Sequence, residues 1–75
     1  MQELASYLLK ALVDKPEEVF VETAEEGGII RLKAKVADSD KGKIIGRDGK
    51  VIKAVRAVLS AGAERAGKKA FLDID

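Results

Sequence analysis

Apolar side chains recur at helical spacing over the first dozen residues. Leu4, Ala5, Leu8, Leu9, Ala11 and Leu12 fall largely on one face, which predicts an amphipathic helix over residues 2–13. Asp14-Lys15-Pro16 ends it, because proline disfavours helical geometry in the residue before it. The period then changes to two. Val19, Val21 and Thr23 alternate with Phe20 and Glu22, the pattern of a strand with one buried face. Glu25-Glu26-Gly27-Gly28 supplies the turn. In the next strand, begun at Ile29, Ile30, Leu32, Ala34 and Val36 face one way while Arg31, Lys33 and Lys35 face the other. Asp38-Ser39-Asp40 offers N-cap side chains for a short helix running to about Ile45. Gly46 and Gly49 interrupt it. A longer helix is predicted from Lys50 to Arg65, with Val51, Ile52, Val55, Val58, Leu59 and Gly62 as its buried stripe and Gly67 at its C-terminus. Ala70, Leu72 and Ile74, alternating with Phe71 and Asp73, make a last strand.

The order α-β-β-α-α-β defines an α+β fold. An amphipathic strand cannot bury its apolar side alone, so the three strands should form one sheet with the three helices packed on one face. The Gly-Gly turn makes the first pair of strands antiparallel. The helical crossover makes the second and third parallel, giving a mixed three-stranded sheet.

Seventy-five residues make one domain, near the lower limit at which a single core suffices, so self-association would help it. With no Cys and no His there is no thiolate nucleophile, imidazole base or thiolate–imidazole zinc site. Catalysis by Asp, Glu or Lys stays open in principle, but the acidic pairs read as surface residues, and neither an enzyme nor a metal or cofactor is expected. No apolar run approaches the roughly 18 residues that cross a bilayer, so no membrane role is expected. Met1-Gln2-Glu3 lacks the positive start of an export signal, which makes the cytoplasm the expected compartment. The net charge of +1 conceals an asymmetry: residues 1–28 carry two basic and seven acidic side chains, residues 29–75 twelve basic and six acidic. A basic half of this kind suits an anion such as nucleic acid, although a solvated mixed surface has the same composition.

The candidate chemistry lies between the last two helices, in Ile44-Ile45-Gly46-Arg47-Asp48-Gly49-Lys50-Val51-Ile52-Lys53. Two glycines three apart let the backbone turn sharply and approach a ligand closely. The helix beginning after Gly49 points its free N–H groups and positive dipole end at the loop, a geometry suited to phosphate. Lys43, Arg47, Lys50 and Lys53 add positive charge. A pair of glycines alone would equally suit an ordinary helical corner. A nucleotide-hydrolysing P-loop is excluded by spacing, since Ile44 stands where its first glycine would be and Val51 where its hydroxyl would be. The dinucleotide fingerprint fails for the same reason at residue 44.

The apolar residues before Gly46, the isoleucine three residues after Gly49, the flanking lysines and the preceding basic strand together resemble the KH signature I-G-x-x-G-x-x-I. The element order resembles the type II KH fold, in which a helix and a strand precede a β-α-α-β core. The resemblance spans the chain as a single KH domain, residues 1–75, and in size it is similar to the family of small bacterial single-KH-domain RNA-binding proteins, the KhpA type. That resemblance implies binding of single-stranded RNA, homodimerisation, and a complex with a larger KH-containing protein of the KhpB (Jag) type. It implies a role as RNA chaperone or post-transcriptional regulator. KH domains hold about four nucleotides, with the glycine loop clamping the backbone. Carried onto this sequence, Gly46, Arg47, Asp48 and Gly49 would lie against the sugar-phosphate chain, Ile45 and Ile52 would floor the groove, and Lys33 or Lys35 would rim its opposite wall on the second strand. Asp48 departs from the basic or neutral polar residue usual in family loops, and is expected to turn away and cap the following helix. Tyr7, Phe20 and Phe71 are the only aromatics and none is near the loop, so one copy should bind weakly and with little selectivity. Ala54, Ala57 and Ala61 on the long helix offer a surface for a second chain, although they also suit plain helix propensity. A second reading makes the chain a protein-interaction adaptor with RNA contact secondary.

Overall fold

A computed structural model describes residues 1–75. Helix α1 spans Gln2–Leu12, strand β1 Phe20–Glu26 and strand β2 Ile29–Lys35, followed by the short helix α2, Lys41–Ile45, the long helix α3, Lys50–Arg65, and strand β3, Lys69–Ile74. Single 3-10 turns occupy Pro16–Glu18, Asp38–Asp40 and Arg47–Gly49. The expected α-β-β-α-α-β order is present. The sheet runs β1-β2-β3, antiparallel between the first pair and parallel between the second.

Glu26 pairs directly with Ile29, so the hairpin turns on Gly27-Gly28 alone, both at positive φ. The turn is thus two residues shorter than the sequence pattern suggested. A two-residue turn of this handedness matches the twist of the flanking strands and extends β1 through both glutamates.

One face of the sheet carries Val21, Ile30, Leu32, Ala34 and Leu72, and the helices cover it with Ala5, Leu9, Ile44, Ile52, Val55, Leu59 and Ala63. The opposite face is open to solvent. α3 lies along β3 and α1 along β1. The buried stripe of α3 is Ile52, Val55, Leu59 and Ala63, whereas Val51 and Gly62 are half-buried and Val58 is 46% exposed. Val58 was expected inside; it stands over a gap between α1 and α3 that no third element fills. The C-terminus of α3 closes as predicted around Gly67, with the Lys68 N–H donating to Ala63 O and the Gly67 N–H to Glu64 O.

The Asp38-Ser39-Asp40 cluster does not cap α2. Asp40 is instead the one buried charged residue, 1% exposed. Its Oδ1 accepts the Asp14 N–H at 3.1 Å and its Oδ2 the Lys15 N–H at 3.0 Å. One carboxylate thereby satisfies two backbone donors freed where α1 ends, and ties that corner to the start of α2.

Candidate nucleic-acid interface

The loop from Gly46 to Gly49 is built of backbone conformations that few residues accept. Gly46 has φ 75° and ψ 178°, Asp48 φ 55° and ψ 26°, and Gly49 φ 74° and ψ 16°. At Gly46 the requirement is absolute. A Cβ there would stand 2.4 Å from Val51 Cγ2, 2.8 Å from Val51 Cβ and 2.9 Å from Val51 N, the first turn of α3. At Gly49 only the left-handed φ is demanding, since a methyl there would meet nothing nearer than Ile52 Cγ2 at 3.9 Å. The Gly46 N–H donates to Gly42 O at 2.8 Å, ending α2, and the Gly49 N–H to Gly46 O at 3.2 Å, closing the turn.

No side chain caps the N-terminus of α3. The expectation that Asp48 would do so fails, because its backbone is left-handed and its side chain is exposed. Asp48 has another physical role: aspartate is among the few non-glycine residues that enter this region readily, so it shapes the turn. The first N–H groups of α3 therefore face the loop without an internal acceptor.

Arg47, Lys50 and Lys53 are exposed around this helix end and take part in none of the ion pairs of the molecule. The Lys53 side chain reaches back to Gly49, with its Cε 4.0 Å from the position a Cβ would occupy. Lys43 is differently placed. Its Nζ pairs with Asp14, so part of its charge is already compensated, although an exposed pair of this kind is weak. Ile44 is fully buried and Ile52 nearly so, while Ile45 is 45% exposed beside the loop. Of the two residues expected to floor a groove, Ile45 is accessible and Ile52 belongs to the core.

Lys33 and Lys35 are not brought to the loop. They project from the solvent face of the sheet, opposite the helices, and with Phe20, Glu22 and Asp75 line a depression of about 450 Å³ there. Strand register sets Lys33 between Glu22 and Asp73. Phe20 and Phe71 share that face, with the Arg31 guanidinium 5.9 Å from the Phe71 ring centroid, and no aromatic lines the loop. Sequence reasoning missed Arg56, one turn beyond Lys53 on α3, whose Nε donates to Leu72 O at 3.1 Å. The signal was available in the spacing of Lys50, Lys53 and Arg56.

A small α+β domain with an uncapped long helix behind a basic G-x-x-G turn defines a KH domain. A family model described as KhpA/KhpB, KH domain, matches residues 2–74, and the chain belongs to that family. Its relatives include proteins named RNA-binding protein KhpA. The one from Clostridium perfringens is 45% identical over 99% of both chains, and the one from Chlamydia trachomatis 43% identical over 99% of this chain and 95% of its own. Among solved structures, the fold matches part of Aquifex aeolicus Era with a TM-score of 0.70 at 19% identity, covering 97% of this chain and 28% of that one. A structure of Era in complex with MgGDPNP and nucleotides of 16S ribosomal RNA matches with a TM-score of 0.57 at 18% identity, again over 28% of its length.

Proposed function

We propose that this protein binds single-stranded RNA, with the backbone of Gly46–Gly49 and the start of α3 holding phosphates and Arg47, Lys50 and Lys53 supplying the charge. The observation that carries the reading is the combination at Gly46 of a conformation only glycine adopts with an uncapped helix N-terminus and three unpaired cations around it. The close packing of Val51 already accounts for the bare backbone at Gly46, whereas the uncapped helix end and the free cations beside it suit a phosphate. The names of the KhpA relatives point the same way. With RNA as its ligand, the protein works in the cytoplasm, as a chaperone or post-transcriptional regulator acting on short unpaired segments.

A specific feature favours a protein partner as well. Leu8, Ala11 and Leu12 of α1 and Val51, Ala54 and Val58 of α3 line an open apolar groove of about 410 Å³, which reaches Lys50 beside the loop. We assign this groove to self-association, with a larger KH-containing protein of the KhpB type as the alternative occupant. A second copy docked there would set two phosphate loops on one particle, and linked sites offset weak single-site binding.

A salt titration of binding to a short single-stranded RNA tests the phosphate clamp, because its slope counts neutralised phosphates. Arg47→Asp sets a second carboxylate beside Asp48, and should weaken binding by at least about tenfold, some 1.4 kcal/mol, and flatten the slope in a folded variant. Unchanged affinity would sink the clamp. A duplex of equal length that competed equally well would replace the groove with a nonspecific charged surface.

A further inference from the structure

Strand β1 forms one edge of the sheet. Which of its peptide groups face outward follows from the ladder. Glu26 and Ile29 flank the two-residue turn, and residues so placed exchange both bonds of a narrow pair. Pairs then alternate. Phe20, Glu22, Ala24 and Glu26 turn their N–H and C=O groups to β2, while Val21, Thr23 and Glu25 turn theirs away from the sheet. The far side of β2 agrees, since the Lys69 N–H donates to Gly28 O and the Asp75 N–H to Ala34 O, which commits the even-numbered carbonyls of that segment to β3. Gln2 Nε2 occupies one outward acceptor, Val21 O, at 2.7 Å. The Val21 N–H and both backbone groups of Thr23 and Glu25 remain for a further strand. An edge with a run of unmet donors and acceptors is a template for one.

This edge has a hollow on one side and charge on the other. Toward the helices, Thr23 and Glu25 border an open hollow of about 410 Å³, which Ile30 lines together with Gly62, Ala63 and Ala66 at the end of α3. A residue paired with Thr23 would point the same way and reach it, because directly opposed residues share a face. On the solvent face stand Glu22 and Glu26, both exposed and in none of the ion pairs of the molecule. Lys33 is level with Glu22 on β2 without pairing with it. The third carboxylate, Glu25, is held by Lys68, and β1 carries no cation of its own.

We propose that the β1 edge from Val21 to Glu26 receives an extended basic segment of a partner protein as a fourth strand. The segment lies antiparallel to β1, the more stable pairing. Lysine or arginine stands opposite Glu22 and Glu26, and a small apolar side chain such as valine enters the hollow beside Thr23. Main-chain bonds supply the affinity in this mode of recognition, and alternate side chains the choice of partner. A second copy of this chain fits less well. Its β1 would bring three more carboxylates to the edge, and its β3 would set Asp73 four residues from its one cation, Lys69. Nucleic acid is repelled by the same glutamates. The site lies on another strand from the glycine loop, and does not rest on the RNA-binding reading.

The probe is a labelled, end-blocked heptapeptide alternating lysine and valine, added to the whole chain and followed by fluorescence anisotropy. It should bind, and the Thr23 and Glu25 amide protons should become protected from exchange while those of Glu22 and Ala24, already bonded to β2, stay as they were. Methylating the valine nitrogens, which face β1, should weaken binding by about fivefold or more; methylating the lysine nitrogens, which face away, should change it by less than about twofold. Glu22→Lys with Glu26→Lys, both at exposed positions, should weaken the lysine peptide by about fivefold or more and admit the same peptide with glutamate in place of lysine. No binding by the wild type at millimolar peptide overturns the inference. Binding that is equally sensitive, or insensitive, to methylation at the two residues also overturns it, because the edge would then be only an anionic surface.

Discussion

Alanine at Gly46 is the most demanding single substitution the loop offers. Two costs add. The backbone at φ 75° and ψ 178° is accessible essentially to glycine alone, and holding another residue there costs of order 1–3 kcal/mol. The new methyl would also meet Val51 Cγ2 at 2.4 Å, Val51 Cβ at 2.8 Å and Val51 N at 2.9 Å. Because two of those atoms belong to the base of the side chain and the backbone, no rotamer change relieves the overlap, and α3 must shift at its first turn. Overpacking of this kind costs about 1–3 kcal/mol, so Gly46→Ala should lose roughly 2–6 kcal/mol in all. A domain of this length has about 4–11 kcal/mol to lose. Gly49→Ala is the control. Its left-handed φ of 74° carries a penalty of about 1–2 kcal/mol, and the methyl meets nothing closer than 3.9 Å. In urea, with a slope near 1 kcal/mol per molar, the midpoint should fall by about 2 M or more for Gly46→Ala, and by a smaller amount, about 1–2 M, for Gly49→Ala. Adding Val51→Ala to the first variant removes only the Cγ2 contact, so a double-mutant cycle should show partial rescue. Equal losses at the two glycines, or full rescue by Val51→Ala, would refute the reasoning.

Three further outcomes can be checked. Asp40→Ala leaves the Asp14 and Lys15 N–H groups without an acceptor, which should cost about 2–4 kcal/mol and lower Tm by at least about 8 °C, with Asp40→Asn in between; an unshifted Tm would remove the latch from the account. Asp48→Asn keeps a residue that tolerates the left-handed turn and deletes a charge beside the phosphate path, so stability should hold within about 0.5 kcal/mol while RNA affinity rises severalfold, and a weaker complex would mean that the carboxylate contacts RNA favourably. Light scattering at high micromolar protein should give about twice the 8.0 kDa chain mass, and Val58→Glu in the α1–α3 groove should return it to the monomer; a wild-type mass that stays at 8.0 kDa would reject self-association through this face.

The elements and the sheet order were written in the sequence because they depend on local periods. Leu32, flanked at two-residue spacing by Ile30 and Ala34, can be buried only in a strand with one covered face, and Ile52, Val55 and Leu59 share a side only in a helix. The loop was legible too, since Gly46 and Gly49 announce backbone that other residues resist. What the tertiary structure decided is which charges are free and where they point. Alternation told that Lys33 and Lys35 share a face, but only the stacking of all three helices on the other side set them away from the loop, with Lys33 between Glu22 of β1 and Asp73 of β3. Lys43 met Asp14 across 29 residues of chain, and Asp40 became a buried latch 26 residues from the N–H of Asp14, long-range pairings that no local pattern encodes. Arg56 was one surface cation among many until β3 came to rest beside α3 and its open edge offered the Leu72 carbonyl. Local propensity fixes the shape of each segment. The sites depend on which segments close over one another, and that is settled by the packing of the core.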